Sequence, residues 1–158
     1  MLDKTGDLLL ETVHGSHLYS LANANSDLDT YRVWTGKSNM SQHINGHDDV
    51  TNKSFEQFLR ECSIGVPQAL EALWSPIKTV NELDFLTIRP GYSETVNRYL
   101  RTMKSFWQDD LKRRRHSARL YLNLQDYMQQ GHFNPRLTDE QVDVVNWFAE
   151  NSFYYPKL

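Results

Sequence analysis

Asp7-Leu8-Leu9-Leu10-Glu11-Thr12-Val13-His14-Gly15-Ser16-His17-Leu18-Tyr19-Ser20-Leu21-Ala22 is the stretch that decides how the chain is read. The apolar run over 7–14 is too short for a stable lone helix, so it reads as a buried strand that ends at Gly15. Leu18, Leu21 and Ala22 then recur at helical spacing, which predicts a short helix over 17–22. A strand that turns through Gly-Ser into a helix presents free amides at the helix start. Glycine lets a bulky anion approach the backbone, and the Ser16 hydroxyl adds a donor for phosphate oxygens. The plain alternative is an ordinary turn.

Outward from this stretch, Asn23, Asn25 and Ser26 mark a turn. Residues 28–34 are β-branched and aromatic and read as a second strand, 36–46 as a polar loop, and 49–52 as a third strand. Helices follow. Ser54 and Gln57 form a capping box ahead of Phe55, Phe58, Leu59 and Cys62, with Gly65 as the stop. Pro67 opens the next helix, which carries Leu70, Leu73 and Trp74. Helical periodicity continues from Val96 to Trp107 and from Ser117 to Met128, before a stop at Gly131. Thr138 and Gln141 cap a final helix that buries Val142, Val145, Phe148 and Ala149. The pattern is α+β: a small mixed β-sheet with a helical C-terminal half. The expected organisation is a single domain over 1–158, with sheet and helices in 1–80 and the helical part in 81–158.

The chain has 158 residues, 39% hydrophobic, which is enough for one packed core. A net charge of −3 argues against nucleic-acid binding through charge alone. A single cysteine excludes an intramolecular disulfide framework and a thiolate-rich zinc site. No run of residues has the length and apolarity of a membrane span, and residues 1–7 do not read as an export leader, so a cytoplasmic protein is expected. Charge is segregated: 6 basic and 12 acidic residues over 1–88, against 9 basic and 3 acidic over 89–119. That division suits a site with a metal on one side and phosphate on the other, although Lys112-Arg113-Arg114-Arg115 also reads as a solvated helix face.

Asp27 and Asp29 are two apart, so on a strand both side chains share a face. Crowded carboxylates repel unless a cation sits between them, and magnesium is held by one or two carboxylates plus substrate phosphates. The bland reading is a turn cap and a solvated strand end. Strand alternation makes Asp49 the third carboxylate, with Asp48 as the alternative.

Gly15-Ser16, Tyr19 and Ser26-Asp27-Leu28-Asp29 together resemble the G-S-x-x-Y-G…S-D-x-D signature of nucleotidyltransferases in the DNA polymerase beta superfamily, most closely a bacterial and phage group of predicted nucleotidyltransferases. Asp49-Val50, Gly65-Val66-Pro67, Leu70 to Pro76, and Lys112 with His116 to Leu120 are similar to later parts of that group, so the likeness runs from about residue 8 to about residue 145. The resemblance implies that Asp27, Asp29 and Asp49 are catalytic and bind Mg2+, with Mn2+ as the alternative ion. It implies that Gly15, Ser16, Tyr19, Ser26, Lys112 and His116 contact the nucleotide. The implied reaction moves a nucleoside monophosphate from a nucleoside triphosphate to a hydroxyl acceptor (an RNA end, a protein or a small molecule) and releases pyrophosphate. Arg113, Arg115, His116 and Arg119 would neutralise pyrophosphate or meet a nucleic-acid acceptor. The alternative is a catalytically idle binding protein on the same scaffold, such as a toxin–antitoxin-like partner.

Other chemistries fit less well. His14 with His17, and His43 with His47, have the spacing of zinc ligands, but Gly15 and Asn45-Gly46 interrupt both pairs. His47-Asp48 matches a metal-dependent phosphohydrolase dyad without that family's further ligands. Neither a P-loop nor a G-x-G-x-x-G turn occurs. Cys62 is spaced with Phe55, Phe58 and Leu59 and reads as core.

Overall fold

The computed structural model describes residues 6–22, 26–36, 40–44, 48–83, 88–108 and 110–151. The fold is α+β. β1 (Leu8–His14) runs straight into α1 (Ser16–Tyr19). β2 (Asp29–Trp34), β3 (Met40–Ile44) and β4 (Asp48–Ser54) follow, then α2 (Phe55–Ser63), α3 (Pro67–Leu73) and β5 (Lys78–Asn81). The helices α4 (Tyr92–Phe106), α5 (Leu111–Gln130) and α6 (Asp139–Asn151) come after them.

The five strands form one mixed sheet in the order β3-β4-β2-β1-β5. β2 and β4 are parallel, while β1·β2, β1·β5 and β3·β4 are antiparallel. Alternation along β1 and β2 puts Leu10, Thr12 and His14, and Tyr31 and Val33, on a buried face. The core over these strands takes Phe58 and Cys62 from α2, Tyr99 and Met103 from α4, and Leu120, Leu124 and Tyr127 from α5. It therefore joins the N-terminal sheet to the C-terminal helices. Burial pushes the Cys62 thiol up to about 12, with Glu61 adding to the rise, as a core cysteine requires.

Local signals act as sequence chemistry dictates. Ser54 Oγ accepts from the Gln57 N–H at 3.1 Å. Thr138 and Gln141 bond reciprocally, each main-chain N–H to the other's side chain. α5 stops at Gly131, whose φ of +83° is the left-handed cap that glycine adopts without strain.

Three expectations need correction. The polar segment 36–46 contains β3, and β5 was not anticipated at all. Both are outer strands held by one neighbour, so neither needs the alternating apolar pattern of a strand inside the sheet. The helix expected over 17–22 is only Ser16–Tyr19, because Ser20 turns to φ +68° and ends it. β2 starts at Asp29, so Asp27 lies in the segment leading into the strand. Among the described residues no helix is long and apolar enough to cross a membrane.

Candidate active site

β1 delivers His14 to the end of the sheet, where Gly15 turns the chain at φ +66° and ψ −150°. That region of backbone space is open essentially to glycine alone. The Gly15 carbonyl accepts from the Leu18 and Tyr19 amides, which winds Ser16–Tyr19 into helix.

The antiparallel register sets Asp29 opposite His14. The parallel register pairs Thr30 with Val50, so one residue earlier Asp29 and Asp49 stand side by side on one face. This places Asp49, rather than Asp48, beside Asp29. The Asp29 carboxyl is held above the ordinary aspartate range. Burial is the main cause, and the Asp49 charge raises it further. The Asp49 main-chain N–H and His14 pull the other way, and Asp27 pushes up again. Asp27, exposed in the lead-in to β2, thus shares one field with the strand carboxylates. Among the described residues no three such groups close into a ready-made metal cage. The site is a set of mutually repelling carboxylates, a donor set of the hard oxygen kind that magnesium and manganese take.

Gly15 presses on this cluster. A β-carbon built there would stand 2.5 Å from Asp29 Oδ2. The turn and the carboxylate are therefore in direct apposition.

Beside the turn, Ser16, Lys112, Arg115 and His116 line a pocket of about 160 Å³ together with Leu21. The first turns of α5 supply Lys112, Arg115 and His116, and Asp110 caps that helix by accepting from the Lys112 and Arg113 amides. The His116 ring packs on Tyr19 and Phe106. Its pKa falls to about 4, first through burial and then through the Arg119 charge, so its imidazole is neutral at pH 7.

Tyr19, expected at the nucleotide, is buried instead. Its hydroxyl donates to Glu71 Oε1 at 2.5 Å, and the Arg119 guanidinium sits 3.6 Å from its ring centre. Arg119 is likewise unavailable for pyrophosphate, because its Nη1 donates to Glu71 Oε2 at 2.6 Å inside the core. His14 Nε2 lies 3.1 Å from Glu71 Oε1, at ion-pair distance but off the line of a hydrogen bond. Burial alone would raise the Glu71 carboxyl, but Arg119, His14 and Tyr19 outweigh it and hold the group at about 2. This buried network ties α1, α3, α5 and the end of β1 together. The sequence reading missed it, although Glu71 stands between Leu70 and Ala72-Leu73, a charge set among apolar neighbours.

The remaining expectations divide. The Ser26 carbonyl accepts from His17 Nε2 at 3.4 Å, so that residue contributes main chain. Arg113 is exposed and donates to Gln108. His14 and His17 have different partners, Glu71 for the first and the Ser26 carbonyl for the second. His47 and the His43 side chain lie outside the described residues.

No family model matches the chain, and neither a curated protein nor a solved structure is detectably similar to it. Its chemistry is therefore taken from the residues themselves.

Proposed function

We propose that the protein is a metal-dependent nucleotidyltransferase. The observation that carries this reading is Asp29 and Asp49 in register on neighbouring strands, with Asp27 in their field and the Gly15-Ser16 turn against Asp29. Asp27 and Asp29 would hold Mg2+ or Mn2+, and Asp49 would complete the donor set on the acceptor side. A bound divalent ion supplies charge stabilisation to the entering and leaving oxygens of an in-line displacement.

The chain's own groups have distinct parts. The Ser16 hydroxyl and the Lys112 ammonium grip the β- and γ-phosphates in the pocket beside the turn. Arg115 offsets charge on the departing pyrophosphate. His116, neutral, offers a hydrogen bond without adding charge. The acceptor oxygen forms a bond to the α-phosphorus, the α–β bridging P–O bond breaks, and the acceptor's hydroxyl proton leaves to solvent. Charge positioning does the chemistry, as in phosphoryl transfer generally.

Thermal unfolding with each nucleoside triphosphate, with and without Mg2+, tests the reading. Stabilisation that needs both ligands is expected. Incubation with labelled triphosphates and separated RNA, protein and small-molecule fractions then identifies the acceptor. No response to any triphosphate, together with a stable complex with another protein, would favour an idle binding role.

A further inference from the structure

The strand order sets three side chains in a row at one end of the sheet. β2 lies between β4 and β1, so Asp29 has Asp49 on one side and His14 on the other. His14 is the direct cross-strand partner of Asp29, which puts the two β-carbons on one face about 4.5–5.5 Å apart. The Asp29 carboxylate also reaches back along β1, with Oδ2 2.5 Å from where a Gly15 β-carbon would stand. Repulsion from Asp49 pushes that carboxylate toward β1, and His14 is the group that faces it there.

The His14 ring is held in turn. It is buried, packs on Tyr19 and Tyr31 with ring centres 6.0 and 5.7 Å away, and has Nε2 3.1 Å from Glu71 Oε1. Glu71 is itself fixed by the Tyr19 hydroxyl on Oε1 and by Arg119 Nη1 on Oε2. A buried carboxylate–arginine pair often stabilises a fold no better than apolar residues of the same volume. Holding the fold therefore does not account for this network, whereas holding a ring against Asp29 does.

We propose that His14 and Glu71 are positioning residues for the candidate metal site. Glu71 anchors the ring, and the ring keeps the Asp29 carboxylate from swinging away from Asp49, so that the pair stays together as a donor set. The inference rests on the metal reading of these carboxylates and adds to it two residues that act through Asp29.

Mn2+ binding to the full chain, read from the paramagnetic resonance signal of the free ion, tests it without any reaction. The parent should bind, and Asp29→Asn should lose the binding. His14→Leu keeps bulk but cannot be anchored on Glu71, and it should bind Mn2+ roughly 10–100-fold more weakly. His14→Gln, whose amide N–H extends about as far as Nε2, should recover part of that loss. Thr12→Val is the structural control. Thr12 is buried two residues earlier on the same face and bonds to Ser75 Oγ at 2.6 Å, so this change should lower the melting temperature and leave Mn2+ affinity as it is. Circular dichroism melts check folding. If His14→Leu does not fold, His14→Gln is compared with His14→Asn, whose shorter amide falls short of Glu71 and should bind more weakly. A parent that binds no Mn2+, or an Asp29→Asn variant that binds as the parent does, would sink the metal reading and this inference with it. Parent binding that depends on Asp29 but is unchanged or tighter in His14→Leu, is not restored by glutamine, is equal in the glutamine and asparagine variants, or falls equally in Thr12→Val would overturn this inference alone.

Discussion

Gly15 and Asp29 are so close that a β-carbon on the glycine would stand 2.5 Å from the aspartate's Oδ2. Two constraints meet at Gly15: a backbone conformation at φ +66° and ψ −150° that side chains resist, and a carboxylate occupying the space a side chain would need. Gly15→Ala should therefore cost about 1–3 kcal/mol in urea unfolding from backbone strain alone. It should also abolish Mg2+-dependent stabilisation by triphosphates, because Asp29 must move to admit the methyl group. Parent-like behaviour in both measurements would remove the turn from the site.

Asp29→Asn separates function from stability. The folded protein holds the Asp29 carboxyl above its ordinary value of 3.8, chiefly through burial and then through the Asp49 charge. Ionised Asp29 therefore opposes folding above its folded pKa, and that penalty fades as pH falls toward 3.8. Without metal, the asparagine variant should melt higher than the parent at pH 7, with the gain closing in acid. Nucleotidyl transfer by the same variant should be lost. Near-full activity would refute the metal assignment.

Glu71 carries the opposite sign. Its carboxyl is held at about 2, against an ordinary 4.5, despite burial, because Arg119, His14 and Tyr19 stabilise the anion. The stabilisation is complete above 4.5 and disappears as pH falls from 4.5 toward 2. Glu71→Gln should destabilise the fold by roughly 3–5 kcal/mol at pH 7 by leaving Arg119 as an uncompensated buried charge. Adding Arg119→Met should recover part of that loss, and a double-mutant cycle in urea measures the coupling.

His116 makes the fold sensitive to mild acid. Burial and Arg119 lower it to about 4 from 6.5, so the unfolded chain takes up its proton first. Stability from this group is intact above 6.5 and falls between 6.5 and 4. His116→Phe should flatten the dependence of the melting temperature on pH in that window. An unchanged slope would place the transition elsewhere.

The sequence by itself determined the strand–Gly–Ser–helix opening, the N-cap at Ser54, the capping box at Thr138, the stop at Gly131 and the core role of Cys62. Each is local: a side chain within four residues of the backbone it caps, or an apolar period along one element. It also singled out Asp27, Asp29 and Asp49 as candidates, through their spacing and the resemblance that Ser26-Asp27-Leu28-Asp29 carries. Only the tertiary structure decided that β2 and β4 run parallel with Asp29 beside Asp49, because register is set by pairing between segments some twenty positions apart. It also decided that Tyr19 and Arg119 serve Glu71 rather than a nucleotide. A buried charge selects its partners by where three helices and a strand converge, and spacing along one chain does not encode that convergence. The outer strands β3 and β5 were hidden for a related reason. They are held by hydrogen bonds to a neighbour's main chain, which their own side chains do not record.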